Sequence, residues 1–406
     1  MWNLDRNLAS IRREFPVVGR CVYLISNSLG AMPRKARQGL ERFLSLWDRE
    51  GVTAWQKEWW DLGRRVGDKV ARLIGAGPGQ VTMMTHATQA HWVALSTRFL
   101  WPARSRRRRV VLSGEDFPSS LYVVESVCRM MNWEPVVVSG ASSGLDAEPL
   151  LRAIDDRTLF VATSHVHFKT STVQNIGAIC RRARAVGALS LIDGYHAPGA
   201  IPVNVKKLDA DFYIGGCLKW LCGGPGAAFL FVRPEIAAVA RPVLTGWAAH
   251  RQPFLFHLKM DYANKSRRFQ SGTPAVPSLY AAQAGLDIIK EIGLAQIRRK
   301  SLRLTEQIIV RAEERRFPLL TPREHSRRGG HVAFHIPHAF QIKQALEAQG
   351  IKVDYRKGKA GEADLLRAGP HFYNKEEEVD VLFREMDRLL SSGAYKKYPF
   401  SFRSVT

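Results

Sequence analysis

Between residues 110 and 233 this chain alternates short apolar runs of strand length with stretches of helical periodicity. The runs are VVL (110–112), PVVVSG (135–140), TLFVATS (158–164), ALSLID (188–193), DADFYIGG (209–216) and AAFLFVR (227–233). Between them, FPSSLYVVESVCRMMN (117–132) reads as a loop running into a helix, and LRAIDD (151–156) and NIGAICRRARAVG (175–187) as helices. Strands joined through helices pair in parallel and are covered on both faces. The alternation therefore predicts an α/β fold around a largely parallel sheet, with antiparallel exceptions at its edge or beside a ligand. Upstream, an apolar run VYLISNSLG (22–30) precedes a helix opened by Pro33. A second helix spans 59–74, with Leu62, Val66, Val70 and Leu73 on one face. A turn and short strand follow over 77–83, then a turn running into a helix over 85–99. Downstream, 276–312 reads as helix, 330–336 as strand and 339–350 as helix. Strands at 351–356 and 364–369 and a helix at 375–390 complete an α+β tail.

A chain of 406 residues, 46% hydrophobic, suffices for one large domain and a smaller one. Its five cysteines form neither a disulfide ladder nor a zinc pattern, which fits a reducing compartment and no metal site. The first residues hold no apolar run of signal-peptide length, and no run reaches the roughly eighteen apolar residues of a membrane span. The expectation is a cytoplasmic protein without a membrane partner. The formal charge of +23, with basic clusters at 104–109, 298–303 and 352–359, raises nucleic acid as a partner. The arginines are scattered among ordinary helices, however, and no zinc-finger or RNA-binding aromatic motif accompanies them. A solvated basic surface whose field favours an anionic ligand is the expectation, without a nucleic-acid partner.

Lys219 lies in IGGCLKWLCGGPGAAFLFV (214–232), between two strand-like runs and among glycines. Burying an ammonium without a partner is costly. One chemical resolution is a Schiff base with an aldehyde cofactor, with Asp193 keeping a pyridine nitrogen protonated. The plainer account of the lysine alone is a side chain snorkelling to solvent. His86, Ala87, Thr88 and Gln89 stand where a strand gives way to a helix. They read equally as a phosphate cradle or as a helix start capped by Thr85 or Thr88. Phe117 is either a plate stacked on a ring or a core anchor. Asp193 is either a site carboxylate or one half of a structural ion pair; its company with His196 and Lys219 favours the site. No G-x-S-x-G accompanies the histidines, and the GGPG loop lacks the lysine and hydroxyl of a nucleotide-binding loop.

Taken together, YLISNSLGAMP, LIGAGPGQVTMMTHATQAH, FPSSLYVVES, LIDGYHAPGAIPVNV, ADFYIGGCLKWLCGGPG, LTGWAAH, SGTPAVPSLYAAQAGLDI and LRAGPHFYN resemble, in order, the segments of a known family. It is the aminotransferase class V group of fold-type I pyridoxal phosphate (PLP) enzymes, and within it the kynureninases. The resemblance implies a fold-type I PLP transferase architecture: a large domain with a mostly parallel seven-stranded sheet and a small C-terminal α+β domain. It divides the chain into a segment 1–45 serving the small domain and the site, a large domain 46–285 and a small domain 286–406. It makes Lys219 the Schiff-base lysine, Asp193 the partner of the pyridine nitrogen, His196 its neighbour and Phe117 the stacking ring. Ala87 and Thr88 would cradle the phosphate, and Ser120 would lie against the cofactor. Trp247 and Thr273 match positions that reach the phosphate of a neighbouring subunit, implying a homodimer with shared active sites. Arg367 matches the arginine that clamps the substrate α-carboxylate. Asn27 and Ser28 belong to a loop approaching the substrate, and Trp55 lies where some kynureninases present a histidine to the substrate ring. Tyr195 and His196 are candidates for moving protons.

The implied reaction is hydrolysis of the Cβ–Cγ bond of kynurenine or a related β-acyl amino acid, giving an aryl acid and alanine. The alternative is another class V reaction: transamination, C–S lysis of a cysteine conjugate, desulfuration or epimerisation. Departures cluster at the site. Leu218 replaces a tyrosine that donates to the phosphate, and Ser120 replaces an aspartate. Tyr195 makes D-L-A-H into D-G-Y-H, while Lys169 and Ser171 replace a tyrosine and a glycine. Such changes can redirect chemistry on an unchanged fold.

Overall fold

The computed structural model describes residues 4–97, 107–139, 147–358 and 363–399. The basic clusters 104–109 and 352–359, the turn–helix segment 85–99 and the run 135–140 thus lie partly outside the described residues. The described strands are β1 (Val22–Tyr23), β2 (Val81–Met84), β3 (Arg109–Ser113), β4 (Glu134–Val138), β5 (Thr158–Ser164), β6 (Leu189–Asp193), β7 (Phe212–Gly216), β8 (Ala228–Val232), β9 (Val332–His335), β10 (Ile351–Lys352), β11 (Asp354–Arg356) and β12 (Leu365–Ala368).

Seven of them form one sheet in the order β2–β8–β7–β6–β5–β3–β4. Neighbours from β7 through β4 run parallel, whereas β8 is antiparallel to both β7 and β2. The expected mostly parallel seven-stranded sheet is therefore present. The exceptions have a simple cause: residues 217–227 are too few for a crossover helix, so β8 returns antiparallel. Side chains alternate between the faces. Val111, Val161 and Ile192 pack with the helices Trp60–Leu73, Ile176–Ala185 and Val276–Ile292. Val110, Leu112, Ala162 and Leu191 pack with Ala87–Leu95 and Pro118–Met131. Each such Val, Leu or Ile, fully buried, is worth about 1.5–3 kcal/mol.

A second, antiparallel sheet β11–β12–β9 has its own core of Phe334, Phe340, Leu366, Phe383 and Met386, covered by the helices Leu294–Glu314, Ala339–Ala348 and Glu376–Ser392. The N-terminal segment joins these elements by pairing β1 with β10 in parallel. Three local expectations change. The strand read at 351–356 is two strands with different partners, divided at buried Val353. The helix read at 276–312 is two, divided at Gly293, whose φ of 85° no helix accommodates. The helix read at 151–156 lies earlier, at Glu148–Ala153, with Pro149 in its first turn. Among the described residues, no helix is long and apolar enough to cross a membrane.

Candidate active site

The carboxyl ends of β5, β6 and β7 open into a cavity of about 220 Å³, the place where parallel sheets bind ligands. Lys219 stands in the turn between β7 and β8, and its amine points into this cavity. Nζ lies 2.6 Å from Nε2 of His196. Burial, reinforced by the positive field of Arg367, brings the amine down to about 7. Burial and the neighbouring Lys219 likewise hold the His196 imidazole well below its ordinary value, so it is neutral. Apoprotein mixed with PLP should therefore take up cofactor at a rate that climbs as pH rises through about 7, where the amine becomes neutral. The measurement is stopped-flow absorbance of bound cofactor. A climb only near the ordinary lysine value of 10.5 would contradict this environment.

Asp193 closes β6 and is buried. Its Oδ1 accepts the Tyr195 N–H at 2.8 Å, and its Oδ2 accepts the Ser120 hydroxyl at 3.2 Å. The serine that stands in place of the family's aspartate is thus a donor to the carboxylate. Tyr195 places its ring 5.0 Å from Lys219 Nζ, and Phe117 places its own at 5.8 Å. Gly216 makes room for Tyr195, since a Cβ there would lie 2.4 Å from its ring. Burial keeps the Tyr195 hydroxyl protonated far above its usual range. Phe117 is exposed and packs edge-on against Phe168 at 5.2 Å, so it is not a core anchor.

Ala87 and Thr88 line the other end of the cavity, in the first turn of the helix Ala87–Leu95. The amides of a first turn have no intrahelical partner and suit an anion. The cap is neither Thr85 nor Thr88: Nδ1 of His86 accepts the Gln89 N–H at 3.1 Å. Leu218 also lines the cavity and offers no donor from its side chain.

Arg367 is buried on β12, paired with Asp354 and donating to the Phe168 carbonyl. Burial lowers its guanidinium to about 10, against the opposing pull of Asp354. Asn27 donates to the same Asp354 at 3.0 Å, and Ser28 follows it in the loop, its N–H bonded to the Ile25 carbonyl at 2.9 Å. Arg367, Asn27 and Ser28 are not among the residues lining the cavity, and the remaining candidates lie off it as well. Trp247 packs against Trp60, Phe254 and Phe256, and Thr273 is exposed beside Ser271. Trp55 packs edge-on against Trp59 at 5.4 Å.

Sequence reading missed several neighbours. His91 and Ser119 line the cavity; His91 is tied through Nδ1 to the Ala87 carbonyl at 2.9 Å, one helical turn back. His331, whose ring lies 5.8 Å from that of His196, arrives from the segment before β9 and has no local signal. Asp354 was visible only as a charge inside the apolar pattern IKVDYR. Ser171, where the family pattern has glycine, sits at φ 64°, a left-handed conformation costing about 1–2 kcal/mol. Its hydroxyl accepts the His331 N–H at 3.2 Å, partly offsetting that cost.

A desolvated amine, a buried carboxylate and a helix N-terminus, all lining one cavity, fit the aldehyde, ring nitrogen and phosphate of PLP. The fold and this donor set define an α/β enzyme of the PLP-dependent fold-type I class. The aminotransferase class-V model matches residues 22–382, and the chain belongs to that family. The kynureninase of Pseudomonas fluorescens is 32% identical over 393 residues, 94% of this chain and 93% of that protein. The kynureninase of Burkholderia pseudomallei K96243 is 31% identical over 416 residues, 99% of this chain and 97% of that protein. Among solved structures, a cysteine desulfurase from Thermococcus onnurineus NA1 superposes with a TM-score of 0.84 at 22% identity, over 95% of this chain and 98% of that one. At that identity the likeness speaks to the fold alone.

Proposed function

We propose that this enzyme is a kynureninase-type hydrolase, cleaving the Cβ–Cγ bond of kynurenine or a related β-acyl amino acid to an aryl acid and alanine. The observation that carries this reading is nearly full-length similarity to kynureninases at 31% and 32% identity. Lys219, Asp193 and His196 in one cavity supply the chemistry such a reaction needs.

PLP supplies an aldehyde that captures the amine and a ring that accepts the electron pair left at Cα. Lys219, whose amine burial brings down to about 7, is the base for the Cα proton. His196, 2.6 Å away and neutral, exchanges protons with Nζ. Asp193 holds the pyridine nitrogen protonated. The Tyr195 hydroxyl, kept protonated by burial, is a proton donor at the same wall. Phe117 and Tyr195 flank Nζ. Ala87, Thr88 and Ser120 hold the cofactor, and Arg367, with Asn27 and Ser28 alongside, holds the substrate α-carboxylate. Trp55, off its own chain's cavity and packed on Trp59, we assign to the substrate ring at the site of a second copy. Trp247 and Thr273 lie away from their own chain's cavity, and we assign them to the cofactor phosphate of a second copy in a homodimer. The same reading places the enzyme in the cytoplasm and divides it into 1–45, 46–285 and 286–406; the separate C-terminal core runs from Leu304 on and takes in Leu24, while Leu286 to Ile297 pack in the large core.

Desulfuration needs an accessible, ionisable thiol. Cys217 and Cys222 beside the lysine are buried, and burial pushes the Cys217 thiol up to about 12. Purified holoenzyme should convert kynurenine to equal amounts of anthranilate and alanine, measured by chromatography. Pyruvate from a cysteine conjugate, a keto acid dependent on an amino acceptor, or no turnover of kynurenine or 3-hydroxykynurenine would reject the proposal.

A further inference from the structure

Asp354 on β11 stands directly opposite Arg367 on β12. It is fully buried, and its oxygens are all engaged. Oδ2 takes Arg367 Nη2 and the Asn27 amide, the latter at 3.0 Å, while Oδ1 takes Arg356 Nη1 at 2.7 Å. The other arm of Arg367, Nη1, donates to the carbonyl of Phe168, a residue lining the cavity. Arg367 Nε is buried and has no hydrogen-bond partner among the described residues. A guanidinium donor buried without an acceptor is costly, so this edge is suited to an incoming anion.

We propose that Asp354 is the positioning residue of the substrate α-carboxylate site: it holds the Arg367 guanidinium in the plane that leaves Nε for the carboxylate. This rests on the reading of Arg367 as the group that receives that carboxylate. An arginine side chain has several rotatable bonds, and a bidentate grip on a carboxylate tolerates little tilt. Asp354 itself does not meet the substrate, because Arg356 and Asn27 complete its hydrogen bonding. Asn27 acts through it, tying the N-terminal loop to the clamp. The signal lies in the pairing of β11 with β12, which brings together two charges 13 residues apart in the chain.

The test is Asp354→Asn in the holoenzyme, which keeps the shape and one acceptor but removes the charge. The KM for kynurenine should rise about tenfold, with kcat changed by less than about twofold, the pattern of lost uniform binding. L-Alanine binding, followed through the absorbance of bound cofactor, should weaken by about the same factor. Binding of L-alaninamide, which lacks the carboxylate, should change by less than about twofold. Adding Asn27→Ala should then cost little more, as expected of two residues acting in series. An unchanged or lowered KM would overturn the proposal, since Asp354 would then be a bystander or a competitor. Equal weakening of alanine and alaninamide would also overturn it, marking a general structural effect. Should Asp354→Asn not fold, Asn27→Ala carries the same comparison with an expected change of about threefold. If the unaltered enzyme leaves kynurenine intact, the hydrolase reading fails, while the alanine and alaninamide comparison still decides the role of Asp354.

Discussion

Lys219→Ala is expected to abolish the visible absorbance of lysine-linked cofactor and to lower turnover at least about 10³-fold, within the range for loss of a general base. Two functions vanish together. The alanine cannot join the aldehyde, so PLP is held only by its phosphate and ring contacts and should be lost on gel filtration. The base that takes the Cα proton is also absent, and His196, 2.6 Å from the missing amine, has no side chain to exchange with. Folding should survive, because the Lys219 amine, half-buried and brought down to about 7, is a group that desolvation disfavours in its charged form. Circular dichroism and absorbance spectra of the two proteins, together with kynurenine turnover, make the check. Retention of the absorbance band or of more than about a tenth of the activity would show that another residue carries the chemistry.

Asp193→Asn is expected to lower kcat by about 10²–10³-fold while leaving the cofactor attached to Lys219, the magnitude found when a preorganised charge is removed from a developing one. Asparagine preserves the size of the side chain; its oxygen still accepts the Tyr195 N–H, while its NH2, in the place of Oδ2, donates to the Ser120 hydroxyl. It loses the negative charge that holds a pyridinium proton, so the ring becomes a weaker acceptor of electrons. The distinguishing readout is the Cα–H exchange rate of bound L-alanine in deuterated water, which should fall with kcat while KM moves little. Equal activity of the two proteins would remove Asp193 from the ring nitrogen.

The pair Lys219 and Asp193 was legible because each carries a local signature. Asp193 closes an apolar strand and Lys219 stands in a glycine-flanked turn just after another, and the carboxyl ends of parallel strands converge on one edge of the sheet. Phe117, Ser120 and His196 follow for the same reason, each lying within a few residues of a strand end. Arg367 was legible as a motif, but its geometry was not. Its partner Asp354 faces it only through the register of β11 on β12, and the strand read across 351–356 concealed the break that makes that register. The histidine cap of the phosphate-end helix escaped for a different reason. Imidazole Nδ1 can cap a helix as a threonine oxygen does, and residue type alone favours the threonines on either side.

By itself, the sequence determined the strand–helix alternation, from which a largely parallel sheet follows, and the segments that carry the site, because these depend on neighbours within about ten residues; that β8 returns antiparallel between β7 and β2 was decided by the fold. Only the tertiary structure decided the environment of those segments. The lowered amine of Lys219, the neutral His196 and the shared Asp354 come from groups far apart in the chain whose desolvation and charge meet only after folding.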